Sequence, residues 1–346
     1  MRFYRISTIV GLKNIYYFCC MNEARVVTIS HGDELPEMVC TDFFHSSQFF
    51  RTLEQAPGIA PYMVIAFDAQ KCVVAHMLII IVTHHSVLPP FFIRHGHVYG
   101  EGEYDINISN KEEIFNTMLL EATRIFRRTK CLYAEYSRLK AKMFGYKLFR
   151  RNGYIPIPWQ EIHNSLHSAP IEKRLGDKTL QRIKNIQANG VSTRPCNNDI
   201  ETQRYVSLLK KHFRFKVRRN IPHFKLFQQI HQSGSGVNLI TTYKNKIIGG
   251  CTVLFSNNDA YLWFTASRRK TYPLLRPALM TVWGALTYAQ DNGYNHMYFL
   301  DVGLPYRSNP YREFILNFGG KPTAKFRWFR FPFTSTNKLL SWIYNG

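Results

Sequence analysis

A cluster of basic residues in the second half of the chain has the composition and the position to bind a phosphate group. The cluster is Arg268, Arg269, Lys270 and Thr271. It follows a run typical of a strand, 260–266, and precedes an amphipathic helix that the spacing of apolar residues predicts from Pro273 onwards. Side-chain cations and the free N–H groups of a helix N-terminus both favour an anion. We predict that the cluster binds the phosphates of a donor molecule, although a solvated turn could have the same composition.

Asp301 stands at the end of the next predicted strand, 297–302, where its carboxylate could deprotonate or orient an attacking amine. An aspartate here could instead cap the turn before Gly303, as strand-end aspartates commonly do. Tyr306 and Tyr311 lie just downstream and could protonate a leaving group, or simply pack. We predict catalytic roles for these three side chains.

Four arginines are candidates for binding an acceptor or another anion: Arg307, Arg312, Arg218 and Arg219. The last two end the most basic stretch of the chain, 210–219, which opens a longer run, 210–225, in which phenylalanines are interleaved with cations. Such a stretch is typical of a surface for nucleic acid or lipid phosphate. It is also typical of a half-buried strand with one charged face.

Histidines and cysteines give little sign of a metal site. His84-His85 and His95-x-His97 are not completed by a cluster of cysteines or carboxylates, so we predict no bound metal. The seven cysteines form no C-x-x-C pair, which argues against both a disulfide framework and a zinc ribbon.

The formal net charge of +22 over 346 residues implies a polyanionic partner, either nucleic acid, an anionic membrane or phosphorylated molecules. Solvated surface charge without such a partner is the alternative. No apolar run approaches the ~20 residues needed to cross a bilayer. We therefore predict a cytoplasmic protein, and peripheral contact with the inner face of a membrane stays open.

The predicted elements repeat along the chain. In each half a hairpin is followed by a strand, a helix, a second strand and a helical segment that ends in glycine. The helix of the first half is predicted over about 111–128, and the hairpin of the second half over 237–243 and 247–255. This order predicts a duplicated α/β unit with mixed sheets, and two unrelated halves are the alternative. Within the second unit, 325–331 alternates cations and aromatic residues as an exposed strand would. The predicted segments are an over-long start or N-terminal extension (1–25), a first unit (26–164), a basic helical linker (165–195), a second unit (196–333) and a short amphipathic helix (334–346).

The repeat aligns Glu135 with Asp301 and Gly153 with Gly319. The turn of the first half that corresponds to the cationic cluster, 100–105, is acidic instead and would repel a phosphate. We therefore expect the second unit to bind the donor. The first unit would then serve the acceptor or the architecture.

Several segments resemble the Fem-type (FemA, FemB and FemX) and related tandem GNAT acyltransferases. The helix and turn over 283–294, the strand 298–303 that ends in Asp-Val-Gly, and Gly319-Gly320 are similar to the second unit of that family. Tyr146-Lys-Leu-Phe-Arg-Arg-Asn-Gly-Tyr154 resembles the end of an ordinary GNAT domain, and 175–190 resembles the basic helix that joins the two units. The resemblance covers roughly residues 60–330.

The resemblance implies two tandem GNAT-like units that transfer an acyl or aminoacyl group to an amine or hydroxyl. Donors in the family are acyl-CoA or aminoacyl-tRNA, and acceptors include envelope- and lipid-linked molecules. The usual pyrophosphate loop, Arg/Gln-x-x-Gly-x-Gly/Ala, is replaced here by 268–273, so side chains would have to bind the phosphates. We expect direct transfer from acyl-CoA, since no setting for a serine or cysteine nucleophile is visible. The alternatives are an aminoacyl-tRNA-dependent peptidyltransferase of the peptidoglycan type and a non-catalytic module that binds nucleic acid or membrane phosphate.

Overall fold

The computed structural model describes residues 25–85, 92–214 and 221–345. The predicted N-terminal extension lies outside these ranges except for Arg25, and so do Arg218 and Arg219. No helix within the described ranges is long and apolar enough to cross a membrane.

The described chain contains both strands and helices, as the sequence predicts. The strands are β1 (Arg25–Ile29), β2 (Ile59–Phe67), β3 (Val73–His85), β4 (Phe92–Tyr99), β5 (Glu103–Tyr104), β6 (Tyr133–Ser137), β7 (Ile155–Ser165), β8 (Ser192–Pro195), β9 (Gly236–Tyr243), β10 (Lys246–Ser256), β11 (Asp259–Ser267), β12 (His296–Phe299) and β13 (Lys321–Arg330). The helices are α1 (Ser47–Glu54), α2 (Lys111–Arg128), α3 (Tyr146–Arg151), α4 (Asp177–Ala188), α5 (Asp199–Phe213), α6 (Phe224–Gln232), α7 (Pro277–Asp291), α8 (Pro310–Leu316) and α9 (Thr334–Asn345).

Both halves contribute to one continuous 13-stranded sheet. Its order is β1-β2-β3-β4-β6-β13-β7-β12-β11-β10-β9-β8, and β5 pairs with β3. Each half contains one parallel pair, β4 with β6 and β11 with β12, connected by α2 and α7 respectively. The other pairs along this order are antiparallel, so the sheet is mixed as predicted.

The two halves exchange their last strands. β13 of the second half lies beside β6 of the first, while β7 of the first half lies beside β12 of the second. β7 and β13 pair with each other, with Trp159 opposite Lys325. These two residues hold equivalent positions, because each lies equally far after its glycine, Gly153 or Gly319. A pseudo-twofold axis therefore passes through this pair. The boundaries predicted for the units stay predictions, and the structure adds that each unit is completed by the other.

The exchange also mixes the hydrophobic cores. Trp328 of β13 is fully buried and belongs to the core of the first half. Its ring stacks on Phe149 of α3 with centroids 4.6 Å apart, and Tyr146 meets it edge-on at 5.1 Å. The segment 325–331 is thus a strand as predicted, but most of it forms the middle of the sheet and is not exposed.

The strand registers correct the predicted alignment of the two halves. Tyr136 of β6 pairs with Trp328, and Phe299 of β12 pairs with Ile162. Trp328 and Ile162 are equivalent positions of the exchanged strands, so Tyr136 and Phe299 are equivalent as well. Asp301 therefore corresponds to Arg138, and the predicted match between Asp301 and Glu135 is wrong. The second half has a carboxylate where the first half has a cation.

Two local predictions also need correction. Helix α7 begins at Pro277 and not at Pro273, because Arg276 adopts a left-handed conformation with φ 40° and ends the preceding turns. Proline suits the first helical position, where no N–H is needed. The strand interpretation of 210–225 is wrong within the described residues, since Lys210 to Phe213 end α5 and Phe224 begins α6.

Candidate functional site

The parallel pair of the second half opens partway along its length. β11 and β12 are paired from Asp259 to Leu262 only, after which β11 continues alone on that side to Ser267. A β-bulge lies at the point of separation, because Thr252 of β10 pairs with Phe264 while Val253 pairs with Leu262. Bulges bend a strand and redirect its side chains, and they are frequent beside active sites. The bulge and the separation together define a cleft between β11 and β12, along which β11 beyond Leu262 is no longer paired with β12.

The first half has no equivalent opening among its described residues. Pairing of β4 with β6 continues through Tyr99 and Ser137, and Gly100 N donates to Ser137 O at 2.6 Å. In the acidic turn that follows, Glu101 and Glu103 are buried, and Glu101 accepts a hydrogen bond from Lys140 N at 3.1 Å. Its carboxylates therefore hold local structure, and this end of the first half is closed.

The cationic cluster lies on the turn that follows β11, next to the cleft. All four predicted donor-binding residues are exposed: Arg268, Arg269, Lys270 and Thr271. The turn is held by Thr271 N and Tyr272 N, which both donate to Arg268 O. Within the described ranges none of the three cations forms a salt bridge, so their charges face solvent.

Arg268 also borders a groove of about 500 Å³ between α5 and the turn from β9 to β10. Its described lining carries four cations and no carboxylate: Arg204, Lys211, Lys246 and Arg268. The local field in this groove therefore favours an extended anion.

Asp301 follows β12 at the mouth of the cleft, and its side chain is 35% exposed. Its Oδ1 lies 3.8 Å from Arg327 Nη1 of the exchanged strand β13. The same guanidinium bonds Glu135 at 2.9 Å and donates to Leu300 O at 2.6 Å. Arg327 thus lies near Asp301 of the second half and bonds Glu135 of the first half. Burial raises the pKa of Glu135, whereas the positive charge of Arg327 acts to lower it.

The remaining predicted residues lie on the loop and helix after Asp301. Tyr306 is 60% exposed, and Tyr311 packs partly buried against the core of the second half. Arg307 is exposed. Arg312 donates to Leu304 O at 2.6 Å and to Arg307 O at 2.7 Å, so its guanidinium shapes the loop that carries Tyr306.

Strand β7 also contributes side chains to this site, and the sequence did not predict this contribution. Trp159, Glu161 and His163 alternate along it and share the face of Arg327, whose guanidinium carbon lies 4.1 Å from the Trp159 ring centroid. Gln160 N donates to Gly303 O, which brings the loop of Asp301 against this strand. Local sequence gave little sign of this strand, because Pro156 and Pro158 interrupt its first half, and nothing local indicated that it adjoins the second half.

Glu161 is the most unusual group on this face. It is 6% exposed, and no described residue makes a hydrogen bond or salt bridge with its carboxylate. Burial raises the pKa of Glu161, against the opposing charges of Arg327, Lys325 and Arg138. A buried carboxylate that retains an acceptor and binds protons more tightly than usual can act as a general base.

The two predicted histidine pairs lie on β3 and β4 of the first half. His84 and His95 stack with ring centroids 4.6 Å apart and share a contact of 2.7 Å between Nε2 and Nδ1. Burial and the neighbouring His84 lower the pKa of His95 to about 3. Among the described residues, no three potential ligands of the His, Cys, Asp or Glu type group together to hold a metal.

Solved structures share this architecture at low sequence identity, although no protein-family model and no curated protein matches the chain. FemX superposes with a TM-score of 0.57 at 10% identity, covering 87% of this chain and 94% of that one. L-PGS from Bacillus licheniformis gives 0.55 at 11% identity, with 87% and 93% covered. A tandem GNAT protein from the clavulanic acid biosynthesis pathway gives 0.50 at 10% identity, with 80% and 84% covered. The chain therefore has the tandem GNAT fold, and the predicted fold is confirmed.

Proposed function

We propose that this chain, with its tandem GNAT fold, is an acyltransferase that uses acyl-CoA. The acyl group would pass directly to an amine or hydroxyl of an envelope- or lipid-related acceptor. The supporting observation is an asymmetry: within the described residues the β-bulge, the separated parallel strands and the unpaired cationic turn occur together in the second half only. Closed strands and a buried acidic turn occupy the equivalent place in the first half.

The donor would lie along the cleft with its phosphates at the turn. Arg268, Arg269 and Lys270 supply charge, and Thr271 supplies a hydroxyl. The backbone of β11 beyond Leu262 offers hydrogen bonds to the amides of the pantetheine arm. The thioester would then lie near Asp301.

Transfer then needs a base and an acid. Asp301 or Glu161 takes a proton from the acceptor, whose nitrogen or oxygen attacks the thioester carbonyl, and the C–S bond breaks. Tyr306 or Tyr311 returns a proton to the leaving thiolate. Arg307 would bind an anionic part of the acceptor, and we predict the same role for Arg312, Arg218 and Arg219.

Removing the two arginines of the turn should weaken donor binding. For Arg268→Ala combined with Arg269→Ala we expect the affinity for acetyl-CoA to fall about 30-fold, or about 2 kcal/mol, because charge-assisted phosphate contacts are lost. Saturating acetyl-CoA should raise the melting temperature of the unmodified protein, and less so that of the variant. Calorimetric titration with acetyl-CoA gives both affinities.

A matched control removes two exposed cations elsewhere. Lys178→Ala with Arg182→Ala on α4 changes the net charge equally and should leave acetyl-CoA binding unchanged. Equal affinities for both double variants would reject the turn as the phosphate site. The absence of any stabilisation by acetyl-CoA or longer acyl-CoAs would reject the donor class.

The groove lined by four cations favours a second candidate, in which the donor is aminoacyl-tRNA or the chain is a non-catalytic module for nucleic acid. Its length along α5 suits a phosphate backbone better than the short phosphate group of CoA. We still prefer acyl-CoA, since the groove lies beside the cleft and not within it.

Salt dependence separates these candidates. We expect a shallow slope of log affinity against log salt for acetyl-CoA, because few phosphates are neutralised. For binding of a nucleic acid, the slope of log affinity against log salt would be about −0.7 to −0.9 per neutralised phosphate. Titrations of acetyl-CoA and of tRNA over a series of potassium chloride concentrations measure both. Nanomolar, length-dependent tRNA binding at physiological salt would overturn the preference for acyl-CoA.

A further inference from the structure

A second group of reactive side chains lies away from the cleft, where the segment before α1 meets β3 and β5. Cys40 Sγ lies 4.0 Å from His76 Nε2, and the same nitrogen lies 3.5 Å from Glu103 Oε2. His76 and Glu103 are buried, whereas Cys40 is exposed. The imidazole of His76 therefore contacts the exposed thiol and the buried carboxylate through the same nitrogen.

Neighbouring groups shift the pKa values of Cys40 and His76 in the directions that favour a thiolate and an imidazolium. Burial by itself would lower the pKa of His76, but contacts with Cys40 and Glu103 raise it to about 9. Burial of the thiol would raise the pKa of Cys40, but hydrogen bonds with His76 and Ser47 lower it. A cysteine whose pKa is lowered by a neighbouring imidazole is more nucleophilic near neutral pH than an ordinary cysteine.

The carboxylate is held in place by backbone groups. Glu103 accepts from Thr41 N at 2.6 Å and from Asp42 N at 3.3 Å. The other charged and titratable groups facing this cluster are Asp42, His45 and Arg138. Asp42 pairs with Arg138 at 2.8 Å, and burial lowers the pKa of His45 to about 4, so it is neutral at pH 7. His76 is thus the proton donor available to Cys40.

Cys40 also lines a pocket of about 330 Å³ between the two halves. Hydroxyls and amides such as those of Gln48, Ser235 and Asn257 line the pocket, together with Phe255 and Tyr294. Its described lining carries no charged side chain other than Cys40 itself. The pocket therefore suits an uncharged molecule with amide and hydroxyl groups.

The hydrogen bonding of the backbone after Cys40 favours a disulfide over a carbonyl group as the electrophile. Attack on a thioester or amide carbonyl forms an oxyanion, which enzymes often stabilise with backbone N–H donors beside the nucleophile. The three N–H groups after Cys40 are already used, since Thr41 and Asp42 donate to Glu103, and Phe43 N donates to Ser256 Oγ. Attack on a disulfide forms no oxyanion and needs no such donors.

We propose that Cys40 is a thiol–disulfide exchange site for a small, uncharged disulfide that carries amide and hydroxyl groups. The Cys40 thiolate attacks one sulfur of the ligand, a new S–S bond forms and the ligand's S–S bond breaks. The leaving thiolate takes the proton of the His76 imidazolium. Cys40 ends in a mixed disulfide, and one half of the ligand is released as a thiol.

The test uses the full chain and pantethine, an uncharged disulfide with amides and hydroxyls, at about pH 6.5. Peptide mass spectrometry follows mixed-disulfide formation at Cys40 and, as an internal control, at Cys72, which is also exposed. We expect Cys40 to react at least about tenfold faster than Cys72, because hydrogen bonds with His76 and Ser47 lower the pKa of the Cys40 thiol. Equal rates at the two cysteines would overturn the proposal.

Two further measurements test the proton donor and the ligand class. His76→Gln should slow Cys40 to the rate of Cys72, and circular dichroism checks that this variant folds. Because the comparison of Cys40 with Cys72 needs no substitution, the proposal stays testable if the variant does not fold. Oxidised glutathione, a charged disulfide, should react more slowly at Cys40 than pantethine, and an equal rate would reject the assigned ligand class.

Discussion

Replacing Trp328 by alanine is expected to destabilise the whole chain by about 3–5 kcal/mol, the usual cost of removing a large aromatic side chain from a core. The ring is fully buried and packs on Phe149 and Tyr146 of the other half. Its Nε1 has no described hydrogen-bond partner, so the loss is one of packing. Urea unfolding followed by circular dichroism measures the change in the free energy of unfolding.

Trp342 of α9 provides the matched control for this substitution. It is 74% exposed, so Trp342→Ala should change the free energy of unfolding by no more than about 0.5 kcal/mol. Since β13 completes the core of the first half, Trp328→Ala should shift one common transition. Two separate transitions, with the first half unaffected, would show that the exchanged strand does not join the halves energetically.

The largest effect on activity is expected at Asp301. Asp301→Asn should lower turnover of the acyl donor about 100-fold while the melting temperature changes little, as expected for a general base or an orienting carboxylate. Asp291→Asn, on an exposed aspartate at the end of α7, is the control and should keep normal turnover. A large fall in melting temperature with normal turnover would return Asp301 to a purely structural role.

Comparison with Glu161→Gln assigns the base. A base acts when deprotonated, so activity rises with pH through its pKa. Because burial raises the pKa of Glu161, catalysis by this residue would place the acidic limb of the pH–activity profile at a higher pH than an ordinary carboxylate would. Loss of that limb in Glu161→Gln but not in Asp301→Asn would identify Glu161 as the base and Asp301 as the orienting group.

The sequence by itself determined the local elements and the fold class. The predicted helix 111–128 coincides with α2, because apolar periodicity fixes a helix's buried face locally. The hairpin of β9 and β10 was also predicted, since two β-rich runs flank a short polar turn. The duplicated order of elements followed from these local signals, and with the family resemblance it predicted the tandem GNAT fold.

The cationic turn and Asp301 were also found from the sequence, because each lies at the end of a strand that local patterning predicts. The structure places the turn and Asp301 on either side of the β11–β12 separation. Their roles in binding and catalysis stay predictions. The start of α7 was misplaced by one turn, since either Pro273 or Pro277 could begin a helix and local signals do not distinguish them.

Only the tertiary structure decided which strands are neighbours. Alternating residues specify two faces of a strand, but they do not specify its partners or what covers each face. The segment 325–331 therefore looked like an exposed strand, although β13 pairs with β6 and β7 at the centre of the sheet. Glu161 gave no signal for the same reason, because it adjoins the loop of Asp301 only through the exchange of β7. Partner choice depends on contacts between residues far apart in the chain, and those exist only once both halves are folded together.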